Sequence, residues 1–371
     1  MSSRAVDSSR RTRFLAACHG QPVDTTPIWI MRQAGRYLPS YRKTRAQARD
    51  FLVLCKTPEL ACEVTLHPID QLGVDAAILF SDILVVLEAM GMRLEFSEGE
   101  GPRLEPVRSA EAVAALRVPV AEESLGYVMD AIRLIVSAID GRVPLIGFAG
   151  APWTLLTYAV EGKTSKDFSK ARRLLFEDPA LAHVLLDKIT EATLGYLVAQ
   201  VRAGAQALQL FDSWAGALGP DEYRAFALPY VRRIVAGLRA SGVGAEIPFI
   251  YFCNQGATLL ADAATVGADV LGIDFRVPLD EARLRTGRPG LVLQGNLDPC
   301  ALFAAPAAIE PRVADILRRG GERHIFNLGH GILPETPVEH VVALVETVHR
   351  LGRRGASGSR SHASAGPEGG E

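Results

Sequence analysis

A chain of 371 residues is long for one ordinary domain of about 150 residues, although a single α/β barrel of about 250 or more also accommodates it. Its composition, 48% apolar and 22% charged, excludes a disordered, collagen-like or fibrous protein. Forty basic residues against forty-two acidic ones leave a formal charge of −2, so no global field draws the chain to nucleic acid or an anionic membrane, and only a local basic pocket stays open.

Residues 1–13 are rich in Ser and Arg and lack the apolar core of a secretory signal, which predicts a disordered tail. The most apolar stretch, 75–92, is broken by Asp82 and Glu88 and does not read as a spanning helix. Residues 352–371 have almost nothing to bury and predict a second disordered tail. Five cysteines without a C-x-x-C pair suggest neither a disulfide framework nor a zinc ribbon, and the expected location is the cytoplasm.

Between the tails, eight short apolar or β-branched runs recur, at 28–31, 76–80, 144–149, 207–211, 248–252, 269–273, 291–294 and 324–328. Near-continuous apolar runs of this length suit strands buried on both faces of a parallel sheet. Helix-start signals lie between them. Asp178-Pro179 sets a capping acceptor before a first-turn proline, Asp298-Pro299 repeats the device, and Thr336-Pro337-Val338-Glu339 reads as a capping box. Residues 92–107 read as an inserted β-hairpin turning at Gly99 and Gly101. The pattern predicts one α/β domain over 14–351, a closed (β/α)8 TIM barrel with an inserted hairpin. The competitor is an open doubly wound sheet, but its Gly-rich nucleotide fingerprint is missing.

In a barrel, residues just after each strand form the active-site face. The first run is followed by Arg32, Gly35 and Arg36, with Arg45 further on; Gly35 and Pro39 disfavour a regular helix, and loop arginines suit carboxylate or phosphate binding. After the second run, Asp82 lies between apolar residues, either capping the next helix or facing N–H donors or positive charge on a ligand. Trp153, Thr154 and Tyr158 follow the third run, Asp212-Ser213-Trp214 closes the fourth, and His330 stands between glycines after the eighth. From spacing alone, each of these has a structural reading beside the functional one.

Taken together, the motifs resemble the uroporphyrinogen decarboxylase family. The 29–39 segment, Trp-Ile-Met-Arg-Gln-Ala-Gly-Arg-Tyr-Leu-Pro, is similar to that family's first signature nearly letter for letter, and 147–154 is similar to its second. The segments 80–84, 295–299 and 327–331 match as well, and the likeness covers 14–351.

The resemblance implies a cofactor-free, metal-free barrel, a homodimer in haem biosynthesis. Its substrate would be uroporphyrinogen, whose four acetate carboxyls are removed to give coproporphyrinogen and CO2. It assigns substrate carboxylates to Arg32, Arg36 and Arg45, a binding-loop backbone to Gln33, Ala34 and Gly35, pyrrole N–H groups to Asp82, and further substrate contacts to Tyr158, Ser213 and His330. Arg32 and Tyr158 also join Asp82 in the expected catalytic group. A protonated pyrrole can accept the electrons of the breaking C–C bond, and a fixed carboxylate at Asp82 would stabilise the cationic ring.

Leu87-Glu88 and Phe275-Arg276 depart from the family pattern. One rival is a zinc-dependent methyltransferase, but the His-x-Cys pair it needs is replaced here by Tyr251-Phe252-Cys253, with Cys300 the only later cysteine. A catalytically dead tetrapyrrole-binding protein is the second rival, and retention of Asp82, Tyr158 and the signature arginines argues against it.

Overall fold

Seven of the eight apolar runs become strands of one parallel sheet in the computed structural model, which describes residues 8–97 and 101–354. In chain order the strands are β1 (Ala77–Ile78), β2 (Leu94–Ser97), β3 (Gly101–Leu104), β4 (Leu145–Gly150), β5 (Ala207–Asp212), β6 (Phe249–Cys253), β7 (Val270–Gly272), β8 (Val292–Leu297) and β9 (His324–Leu328). The sheet runs β1-β4-β5-β6-β7-β8-β9, each neighbour parallel. Within it, only Phe211 is not fully buried, because helices cover the outside and side chains fill the inside. Part of that filling is polar: Trp29 Nε1 donates to Gln294 Oε1 at 2.9 Å, and Gln294 Nε2 donates to Gln209 Oε1 at 3.0 Å.

The eighth expected strand, 28–31, is corrected. It makes one isolated parallel bridge, Ile28 to Phe326, while the Ile28 carbonyl accepts from Asp75 N on its other side. Side chains intercept the donors that a ladder would use. Ile28 N goes to the Asp75 carboxylate at 2.8 Å, Ile30 N to Gln33 at 3.1 Å and Met31 N to Asn327 at 2.9 Å. The segment therefore connects to both edges of a curled seven-stranded sheet without joining it as a regular strand.

Helix Ser8–Cys18 corrects the expected tail boundary. Phe14 is buried in the core, and Arg13 bonds Asp24 and Asp75, each at 2.7 Å, so residues 8–13 are anchored by packing and charge. At the other end, Arg353 bridges Thr25 and Arg354 N donates to the Asp24 carbonyl. The rest of the two expected tails, 1–7 and 355–371, lies outside the described residues, as does Gly99.

β2 and β3 pair antiparallel, from Leu94 opposite Leu104 to Ser97 opposite Gly101. Asp178 accepts from Leu181 N and starts helix Pro179–Ala203 as expected. Asp298 starts only a 3-10 turn, Pro299–Phe303. The capping box does not form: helix Val338–Leu351 begins one residue later, with Pro337 at its cap, which leaves the Thr336 hydroxyl buried with no hydrogen-bond partner among the described residues. Among the described residues, no helix is long and apolar enough to cross a membrane.

Candidate active site

The loop after Ile30 is built to hold Arg32 in an unfavourable backbone. Its φ is +64°, a left-handed conformation costing an arginine about 1–2 kcal/mol. The surroundings compensate. Gln33, fully buried, donates its side-chain amide to the Ala76 carbonyl, and its backbone N–H closes a turn onto Ile30 at 2.8 Å. Tyr37 donates its hydroxyl to the Gln33 carbonyl at 2.8 Å, and Ile332 N donates to Met31 O at 2.9 Å. A Cβ on Gly331 would lie 2.5 Å from Arg32 Cδ, so glycine there makes room for the arginine stem. Gln33 thus acts on this loop from within, with its N–H already committed. The N–H groups of Ala34 and Gly35 have no protein acceptor among the described residues.

Asp82 follows β1 and is half-buried. One carboxylate oxygen accepts from Leu84 N at 2.8 Å, which is the local turn role that spacing allowed. Desolvation nevertheless dominates and pushes its pKa up to about 6, against the opposing pull of that N–H and of Arg32. Tyr158, on helix Pro152–Glu161, is half-buried, and desolvation raises its hydroxyl above the usual range while the Asp82 and Arg32 charges both reach it.

Beneath Tyr158 lies a network that sequence reasoning missed. Asp212, at the end of β5, is fully buried and accepts from Thr154 Oγ1 at 2.7 Å and from the Tyr251 hydroxyl at 2.8 Å. Burial pushes its pKa up to about 6 as well. Thr154 also accepts from Trp214 N, and Trp153 Nε1 donates to the Trp214 carbonyl. The Trp214 ring packs against Tyr158, centroids 6.3 Å apart, so these bonds fix one wall beside the tyrosine. Ser213 sits between Asp212 and Trp214, half-buried, its carbonyl held by Asn254. The signal was present in the sequence, since Thr154 and Asp212 stand inside motifs already singled out at strand ends.

His330, after β9, is half-buried, and desolvation followed by the Arg32 and Arg276 charges holds its imidazole below its ordinary value. The structure therefore brings Arg32, Asp82, Tyr158 and His330 into one electrostatic neighbourhood at the C-terminal mouth of the sheet. The Arg45 and Arg36 charges both act on the Tyr41 hydroxyl. Arg36 is exposed, while Arg45 is half-buried and donates to the Ala48 carbonyl. Cys253 is buried beneath the mouth, where desolvation raises its thiol well above the usual range, and Cys300 is exposed. Among the described residues, no group of three His, Cys, Asp or Glu is placed to hold a metal ion.

A family model described as uroporphyrinogen decarboxylase (URO-D) matches residues 9–351. The chain belongs to the uroporphyrinogen decarboxylase family. Curated members named uroporphyrinogen decarboxylase are similar over nearly their whole length. The protein from Pseudomonas aeruginosa is 53% identical over 92% of this chain and 97% of its own, and that from Idiomarina loihiensis is 50% identical over 92% and 96%. Among solved structures, a methyltransferase from Methanosarcina mazei superposes with a TM-score of 0.77 at 22% identity, covering 92% of this chain and 98% of its own, which shows a shared fold. The uroporphyrinogen decarboxylase family match begins at residue 9, inside helix Ser8–Cys18, in agreement with the corrected boundary.

Proposed function

We propose that this chain is a carboxy-lyase converting uroporphyrinogen III to coproporphyrinogen III with release of four CO2, in porphyrin and haem biosynthesis. The observation that carries the reading is the meeting of a half-buried Asp82 with Arg32 and Tyr158 at one sheet mouth, in a chain of this family.

In each cycle a proton adds to the pyrrole α-carbon beside the acetate-bearing carbon, giving an iminium-type cation. The bond from the acetate CH2 to its carboxylate breaks, its electrons form an exocyclic C=C bond, and CO2 leaves. Protonation of that methylene and loss of the α-proton restore the pyrrole with a methyl group, consuming one proton overall. The pyrrole is its own electron sink, so the reaction calls on no cofactor or metal. Asp82 accepts the pyrrole N–H groups and opposes the cationic ring from a desolvated position, where a carboxylate acts more strongly than in water. Arg32, Arg36 and Arg45 bind substrate carboxylates, helped by the N–H groups of Ala34 and Gly35, which have no acceptor among the described residues. Tyr158, Ser213 and His330 complete the substrate contacts, and Gln33 holds the loop that carries Arg32.

In this reading the 28–31 segment closes the sheet as the eighth stave of a (β/α)8 barrel, and the barrel is one domain with the β2–β3 hairpin as an insertion. The enzyme works in the cytoplasm as a homodimer whose facing mouths retain partly processed rings, with no nucleic acid or membrane partner. Anaerobic incubation with uroporphyrinogen, followed by oxidation and chromatography of the porphyrins, tests the activity: coproporphyrin is expected, and unchanged uroporphyrin would refute it. Sedimentation near twice 39.9 kDa tests the dimer.

A further inference from the structure

We infer that Arg276, which reaches the mouth from the loop after β7 on the Gly329 side of His330, is a substrate-carboxylate anchor additional to Arg32, Arg36 and Arg45, setting affinity for the polycarboxylate ring. The inference rests on the proposed function, because an eight-carboxylate substrate is what gives a further cation something to bind.

Three observations place and prepare this arginine. It follows β7, whereas Arg32 follows the segment bridged to β9 and Asp82 follows β1, so the two basic groups approach the mouth from separate parts of the curled sheet. Its guanidinium is held without being consumed. It lies 4.5 Å over the Phe275 ring and 3.5 Å from Asp274 Oδ1, a charge contact too long and loose for a hydrogen bond, and its side chain is 45% exposed. Among the described residues its guanidinium donates no hydrogen bond, so beside the loose ion pair with Asp274 it keeps N–H donors for a carboxylate.

The loop is also fixed to the site. Asp274 is buried and accepts from Arg276 N at 2.8 Å, and Asn296 Nδ2 donates to the Asp274 and Val277 carbonyls at 2.8 and 2.7 Å. A Cβ on Gly329 would fall 2.2 Å from Phe275 N, so the Phe275–Arg276 backbone is clamped against the loop that presents His330. Arg276 thereby sits close enough to His330 for its charge to be felt there. A preorganised cation spends little entropy on binding, and its contribution falls on ground state and transition state alike.

The test compares wild type with Arg276→Gln and Arg276→Lys in steady-state kinetics on uroporphyrinogen III. Arg276→Gln is expected to raise KM about tenfold with kcat within about twofold, and Arg276→Lys to raise KM by a smaller factor. Unchanged KM in Arg276→Gln, or a loss confined to kcat, would overturn the inference. Equilibrium binding of the oxidised octacarboxylate uroporphyrin, followed by its own fluorescence, gives a readout independent of turnover. A wild-type protein that binds it but does not turn over uroporphyrinogen would sink the proposed function, while equal affinity in wild type and Arg276→Gln would sink the role of Arg276.

Discussion

Thr154 donates its hydroxyl hydrogen bond to Asp212 across 2.7 Å, and the same oxygen accepts from Trp214 N, so one side chain ties the first turn of helix Pro152–Glu161 to the end of β5. Thr154→Val keeps the shape and removes both bonds inside a buried site. The expected cost is about 1–3 kcal/mol of folding stability, measured by urea denaturation, because a fully buried Asp212 loses a hydrogen-bond donor. A fall in kcat should accompany it, since Trp214 supports Tyr158.

Asp82→Asn removes the charge that opposes the cationic ring. A hundredfold loss of kcat, about 2.7 kcal/mol of transition-state stabilisation, is expected in a variant with a native circular dichroism spectrum. Wild-type turnover in such a variant would contradict the assignment.

The pH dependence follows from the same group. With its pKa raised to about 6, Asp82 takes up a proton as pH falls through that value, so kcat/KM is expected to decline on the acid side with a midpoint near 6. The stability effect has the opposite sense. A carboxyl whose folded pKa lies above its unfolded value favours folding most at low pH, and that contribution is lost as pH rises through about 6. Asp82→Asn should therefore melt at the same temperature as wild type or higher at pH 7.5, measured by calorimetry.

Replacing Arg32 or Arg36 by Lys keeps the charge and loses the planar fork that binds a carboxylate through two parallel bonds. A several-fold rise in KM for uroporphyrinogen is expected in both variants. Unchanged steady-state constants in both would move the carboxylate site elsewhere.

At the opposite end of the sheet, Asp75 accepts from Arg13 at 2.7 Å, contacts His349 at 2.7 Å and accepts from Ile28 N at 2.8 Å. Asp75→Ala takes the Asp75 carboxylate from the buried Arg13 guanidinium, at an expected cost of about 3–5 kcal/mol in guanidinium chloride unfolding. The kcat of the folded fraction should be unaffected.

Strand positions were legible in the sequence because parallel strands buried on both faces need unbroken apolar runs, as in β4 and β6. The 28–31 run satisfied the same pattern and still failed to become a strand, since Asp75, Gln33 and Asn327 claim its backbone donors, and these partners are 3 to 296 residues away in the chain. Helix caps were legible where the acceptor is local, as at Asp178, and failed at Thr336, where tertiary packing moved the helix start. In the site, Arg32, Asp82, Tyr158 and His330 stood out by their place after strands and by family resemblance. The Asp212–Thr154–Tyr251 network did not, because it exists only once β5, β6 and helix Pro152–Glu161 have packed together.

In the proposed function Asp82 drives cofactor-free removal of four acetate carboxyls, which is read out by counting CO2 released per tetrapyrrole. Metal-depleted wild type and Asp82→Asn would be incubated anaerobically with uroporphyrinogen carboxyl-labelled on its acetates. Four labelled CO2 per ring and coproporphyrinogen are expected from wild type, with about a hundredfold slower release from Asp82→Asn. No labelled CO2 from wild type, or equal release from both proteins, would contradict the proposed function.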